Sequence, residues 1–168
     1  MSNDENSTNG RAAEVRENGV RAYETLGAFL ESDGWHPQAN AERFLYRMMF
    51  AGQNGEFRCY AQIRADLEQF IFYAVSLMKV PEHARASVAE FVTRANYAMR
   101  IGNFELDLDD GEVRFKSALD FEGEPLSSNL IRNAISPAVQ TLDRYLPGIM
   151  AVSFGGKPAR LAVKEIEG

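Results

Sequence analysis

Cysteine is almost missing from this chain. Cys59 stands alone among 168 residues, so no intramolecular disulfide can form and the fold must be held by its core, as suits a reducing compartment. Histidine is nearly as scarce, and His36 and His83 fall on different elements from Cys59 without metal-ligand spacing, which argues against a zinc site. There is no cluster of lysine and arginine, and 18 basic residues against 24 acidic ones give a net charge of -6. Phosphate backbones need concentrated positive charge, so nucleic acid is not expected as the main partner. No apolar run reaches membrane-spanning length, and the opening MSNDENSTNG has neither the basic nor the apolar part of a secretion leader. The expectation is a cytoplasmic protein without a membrane partner, for which the sequon Asn6-Ser7-Thr8 carries no weight.

Motifs that carry chemistry are also lacking. Ala151-Val152-Ser153-Phe154-Gly155 has no first glycine of a nucleophile elbow. Gly155-Gly156-Lys157 has no upstream glycine at P-loop spacing and no following serine or threonine. The acidic run Glu105, Asp107, Asp109, Asp110 and Glu112 suggests calcium, but counting back from Gly111 puts Leu106 and Leu108 where an EF-hand loop needs ligands. No catalytic residue, cofactor or metal is therefore expected, and the protein is read as a non-enzyme.

What the sequence does contain is pattern. At this length one domain can bury about 70% of its unfolded surface. Residues 1–10 are polar and read as a disordered tail. From Arg11 onward Val15, Ala22, Leu26, Phe29 and Leu30 recur at helical spacing until Asp33-Gly34, with Gly19 and Gly27 each weakening the helix by up to about 1 kcal/mol. Residues 35–41 read as a connection. Phe44, Tyr46, Met48 and Phe50 then alternate with Leu45, Arg47 and Met49, the period of a strand. Asn54-Gly55, taken as a two-residue turn, sets Phe50 against Cys59, Met48 against Ala61 and Tyr46 against Ile63. The run FIFYAVSL, residues 70–77, is apolar on both parities and reads as a central strand covered on both faces.

Pro81 opens a second helix with Ala84, Val88, Phe91, Val92, Ala95 and Met99 on its stripe, ended by Gly102. A second hairpin follows. With Asp110-Gly111 as a two-residue turn, Leu108 faces Val113 and Leu106 faces Phe115, while Asp107 lies across from Arg114 and Glu105 across from Lys116. Ser127 or Ser128 caps a third helix burying Ile131, Ile135, Ala138, Leu142 and Leu146, in which Pro137 predicts a kink or two short helices. Residues 11–154 form the expected single domain and 155–168 a C-terminal tail. The fold class is α+β, a five-stranded antiparallel sheet with helices on one face, in the order α-β-β-β-α-β-β-α.

The second sheet face is uneven. Its hairpin half carries Glu105, Asp107, Arg114, Lys116 and Asp120, suited to water. Its meander half carries Leu45, Arg47, Met49, Arg58 and Tyr60, the mixture found at interface cores. Either the first helix or the tail covers that half within the monomer, or a homodimer or another partner does.

At the motif level, RANYAMRIGNFELDLDDGEVRFKSALDFEG followed by ISPAVQTLDRYLPGIMAV resembles the signature of the YbjN family of bacterial proteins. VPEHARASVAEF precedes the motif where that family has its strand and helix. The similarity spans residues 20–154 and is most specific in Asn96-Tyr97, Gly102-Asn103-Phe104-Glu105, Asp110-Gly111-Glu112 and Asp143-Arg144-Tyr145-Leu146-Pro147. The resemblance implies a fold similar to type III secretion chaperones and a label of sensory transduction regulator. It supplies no catalytic residue.

Two functional expectations follow. In the first, a non-catalytic module engages a polypeptide, as a homodimer, through the outer meander face or an exposed strand edge. Met49 and Tyr60 are buried on contact, while Arg47 and Arg58 at the rim select an acidic partner. In the second, a regulatory domain senses a small ligand through the amides of Asn96 and Asn103. More often such residues serve as partners for backbone groups at a helix end or turn.

Overall fold

A computed structural model describes residues 15–168. The chain runs through α1 (Glu17–Ser32), β1 (Gln38–Asn40), a 3-10 turn (Ala41–Arg43), β2 (Leu45–Ala51), β3 (Glu56–Arg64) and β4 (Gln69–Lys79). A second 3-10 turn (Glu82–Ala84) leads into α2 (Arg85–Asn96), β5 (Asn103–Leu106), β6 (Glu112–Asp120), α3 (Ser128–Gly155) and α4 (Ala159–Glu167). The six strands form one antiparallel sheet in the order β1-β2-β3-β4-β6-β5. The α+β class with an antiparallel sheet is as expected, with one strand more. Residues 38–40, read as a connection, pair Gln38 with Arg47 and Asn40 with Leu45. Three residues are too few to show alternation, so only the partner strand reveals them. The expected tail, residues 1–10, and the helical start at Arg11 lie outside the described residues. Val15, expected on the buried stripe, precedes the helix and is exposed.

Side-chain parity is as the alternation predicts, but both hairpin registers shift by two residues. Phe50 faces Phe57 instead of Cys59, with Gln53 and Asn54 at the turn and the Gly52 N–H donating to the Gly55 carbonyl at 2.8 Å. The cause is distant in sequence: the Asp143 carboxylate on α3 accepts from the Gln53 N–H at 3.0 Å and the Asn54 N–H at 2.8 Å. In the second hairpin Leu106 faces Val113 and Glu105 faces Arg114. Asp107 is drawn into the reversal, where its carboxylate accepts from the Asp109 N–H at 2.8 Å, and Leu108 is left exposed. Because each shift is an even number of residues, no side chain changes face.

The inner face holds the core. Phe57, Phe70, Phe72 and Phe115 are fully buried there under Leu26, Leu30, Phe91, Ile131, Ile135, Leu142 and Ile149 of the helices. β4 is central, between β3 and β6, yet its second parity is not covered as expected. Ile71 and Tyr73 are half-buried and Leu77 is exposed. Its apolar residues on that side find cover in their ladder neighbours, not in a helix.

Ser127 caps α3, its hydroxyl accepting from the Leu130 N–H at 3.3 Å. Neither Pro137 nor Pro147 divides this 28-residue helix into the pair of short helices that was one of the two expectations. A proline inside a helix costs about 3 kcal/mol, and the buried residues on both sides of each one hold the helix to the sheet. Residues 155–168, read as a tail, carry α4, which buries Ala159, Ala162 and Val163 against α2 and α3.

Gly19 is more than a weak point in α1. A Cβ there would lie 2.5 Å from both the Cα and the carbonyl oxygen of Ala65. The helix gains up to about 1 kcal/mol from glycine to alanine, but overpacking against backbone costs about 1–3 kcal/mol. Gly19→Ala is therefore expected to lower the thermal midpoint, and an increase measured by circular dichroism contradicts that contact.

Glu68 ties three segments together. It is buried at 5% exposure with φ +55, and its carboxylate accepts from the Gly123 N–H at 2.7 Å and the Asn18 side chain at 3.0 Å. Those two bonds, with Arg16 nearby, hold its carboxyl below the ordinary 4.5. A carboxyl lowered by folding stabilises the fold above its ordinary value and loses that stabilisation as pH falls through the folded value. The melting difference between wild type and Glu68→Gln is expected to be largest near neutrality and to shrink below pH 4.5. A constant difference across that range removes Glu68 as its source.

Candidate functional site

Alternation turns one parity of every strand away from the helices. On β2 these are Leu45, Arg47 and Met49; on β3 Glu56, Arg58, Tyr60 and Gln62; on β4 Ile71, Tyr73, Val75 and Leu77. The register aligns them in rows across the sheet. One row runs Gln38, Arg47, Tyr60, Tyr73, Lys116, Asn103, and the next runs Met49, Arg58, Val75, Arg114, Glu105. The expected site residues Arg47, Met49, Arg58 and Tyr60 thus sit together, and Leu45 lies one row away, opposite Gln62. The strand residues of the buried core cluster come from the inner parity, and Val75, although only 5% exposed, stands outside that cluster. No described helix packs on the outer face.

The two halves of this face differ electrostatically. Around the hairpin, Glu105 receives both Arg114, at 2.7 Å, and Lys116. Burial raises its carboxyl, but those two bonds outweigh it and hold the group below the ordinary carboxylate range. Arg114 also lies 4.3 Å from the Tyr73 ring centre. On the meander half, Arg47 stands 5.9 Å from the Tyr60 ring centre. Among the described residues neither Arg47 nor Arg58 has a carboxylate partner. Met49 is 53% exposed and Leu77 49%, a large apolar exposure beside two free cations. At the β1 end a cavity of about 640 Å³ opens among Trp35, His36, Gln38, Arg47, Met49 and Tyr60. Trp35, His36 and Gln38 escaped the sequence reading because β1 did; Trp35 is half-buried, stacked on Phe50 with ring centres 5.6 Å apart, and the chain's single tryptophan beside an alternating strand was the available signal.

Both sheet edges are blunted. On β5 the Asn96 side chain accepts from the Phe104 N–H at 2.7 Å and donates to the Phe104 carbonyl at 3.1 Å, and Asn103 donates to the same carbonyl at 3.2 Å. One asparagine amide therefore engages the backbone unit that a further strand would need. At the other edge β1 is three residues long and follows Pro37, which has no N–H to donate. Short edge strands and edge prolines disfavour strand addition.

Elsewhere little chemistry converges. Burial pushes the Cys59 thiol up to about 12, away from reactivity at neutral pH. Among the described residues no group of three or more His, Cys, Asp or Glu is placed to hold a metal, and no described helix is long and apolar enough to cross a membrane.

The sequence profile of the YbjN family, described as "Putative bacterial sensory transduction regulator", matches residues 22–150. The chain belongs to the YbjN family. No curated protein matches its sequence. Solved structures share the fold at low identity. The crystal structure of YbjN from E. coli gives a TM-score of 0.56 at 12% identity, over 74% of this chain and 87% of that one. A chain in the HopA1-SchA chaperone-effector complex gives 0.52 at 13%, over 77% and 95%. A chain in the ExsC-ExsE complex gives 0.52 at 14%, over 76% and 92%. The YbjN-family fold seen here is thus type III secretion chaperone-like, and α4 lies beyond the part that the family profile matches.

Proposed function

We propose that this YbjN-family chain is a non-catalytic, chaperone-like module that binds a polypeptide on the bare outer face of β2, β3 and β4. The observation that carries the proposal is the exposure of Met49 and Leu77 beside Tyr60 and two arginines without a carboxylate partner among the described residues, on a face that no described helix covers. Exposed apolar area of this kind marks contact surfaces. The blunted edges favour the face over strand addition. The likeness of the fold to chains of chaperone-effector complexes supports a polypeptide as the class of partner. Self-association as a homodimer, location in the cytoplasm and a part in sensory regulation belong to the same proposal.

Met49→Asp with Tyr60→Asp tests the surface. Wild type and variant are each used to capture polypeptides from a lysate of the native host, with light scattering for oligomeric mass. Both residues point away from the core, so the thermal midpoint is expected to stay near the wild-type value. Captured polypeptide is expected to fall at least about tenfold, the loss of roughly 1.4 kcal/mol of binding. Undiminished capture by a folded variant rejects the face.

A further inference from the structure

Resting on that face assignment, we propose that its occupant is an amphipathic helix with one acidic flank, lying along β4. Ile71, Tyr73 and Val75 share the outer parity of β4, with Tyr60 and Met49 beside them on β3 and β2, and the exposed Leu77 follows where the β4–β6 register shifts between Val75 and Lys79. Six steps of about 3.3 Å make this ribbon roughly 20 Å long. A helix with apolar residues at i, i+4, i+7 and i+11 spans about 16 Å and fits that length.

Backbone chemistry selects the helix over an extended segment. A sheet face presents side chains and offers no N–H or carbonyl for pairing. An extended chain laid on it leaves its own amides without partners where water is squeezed out, whereas a helix satisfies them internally. The usual refuge of an extended peptide, a sheet edge, is occupied by Asn96 at β5 and cut short by Pro37 at β1.

Charge selects the flank. Among the described residues Arg47 and Arg58 have no carboxylate partner, and the only carboxylate of their strands on this parity is Glu56, beside the turn and opposite Ala51 in the ladder. On the opposite side Arg114 and Lys116 are already held by Glu105 and Glu112. An acidic row on the helix therefore gains only when it faces β2 and β3, which fixes rotation about the helix axis once the apolar stripe is down.

The test uses the full chain and three fluorescent peptides of about 18 residues, five turns of helix. The first has leucines at i, i+4, i+7 and i+11 with glutamates along one flank. The second carries lysines in place of the glutamates, and the third has a central proline in the glutamate version. Anisotropy titrations are expected to show the glutamate peptide binding at least about tenfold tighter than either other peptide. Arg47→Gln with Arg58→Gln is expected to abolish the preference over lysine, and Leu77→Asp to weaken the glutamate peptide. Equal binding of the lysine or proline peptide, indifference to Leu77→Asp, or no binding by any peptide overturns the helix assignment. If Met49→Asp with Tyr60→Asp still abolishes lysate capture in those cases, the face reading survives its failure. If that variant leaves capture unchanged, the face itself falls and the helix with it.

Discussion

Gly111→Ala is expected to lower the thermal midpoint by about 6–12 °C, from a cost of about 3 kcal/mol in a chain of this size. Gly111 has φ +79, and a Cβ there would lie 2.1 Å from the Val80 carbonyl oxygen. The same glycine donates its N–H to the Asp107 carbonyl at 2.9 Å and accepts from the Val80 N–H at 2.8 Å. The left-handed conformation costs a residue with a Cβ about 1–2 kcal/mol, and the contact adds about 1–3 kcal/mol because backbone cannot rotate aside. Gly34 separates the two contributions. It has φ +80 with nothing within 4 Å of a built Cβ, so Gly34→Ala is expected to cost only the conformational part. Equal melting shifts for the two variants eliminate the Val80 contact as a determinant.

Asp143→Ala is expected to cost about 2 kcal/mol and to free the first hairpin turn. Hydrogen bonds to a charged group contribute about 1.5–3 kcal/mol each, and two from the backbone and a longer one from the Asn54 side chain at 3.5 Å are lost here, with water able to replace them at this exposed turn. In hydrogen exchange the Gln53 and Asn54 amides, which donate to this carboxylate, are expected to exchange much faster in the variant while those of β4 keep their protection. Asp143→Asn retains one acceptor oxygen and should fall between. Unchanged exchange at Gln53 and Asn54 in folded Asp143→Ala would mean that the turn holds its shape without the carboxylate. Asp143 lies in the segment that carries the family resemblance, and its visible role there is conformational: it shapes the turn between β2 and β3.

The candidate site divides in the same way. That Arg47, Met49, Arg58 and Tyr60 share one face follows from period two within each strand and a tight reversal between them, both local properties. That no described helix covers Ile71, Tyr73 and Leu77 on that face was not legible, because FIFYAVSL has the composition of a strand buried on both sides. Only the placement of every described helix on the inner face leaves one parity bare. Asn96 was visible as a polar residue at a helix end, but its service to the β5 edge requires α2 and β5 to lie side by side.

By itself the sequence determined the elements other than β1 and α4 and which way their side chains point, since helix and strand periods are written in neighbouring residues. Tertiary structure decided the hairpin registers, the sixth strand, the continuity of α3 through two prolines and the docking of α4. Each of those depends on groups far apart along the chain: Asp143 on a turn ninety positions earlier, β2 on a three-residue partner, and the sheet on a helix that proline alone would have broken. Local pattern sets direction, while register and cover are fixed only when distant surfaces meet.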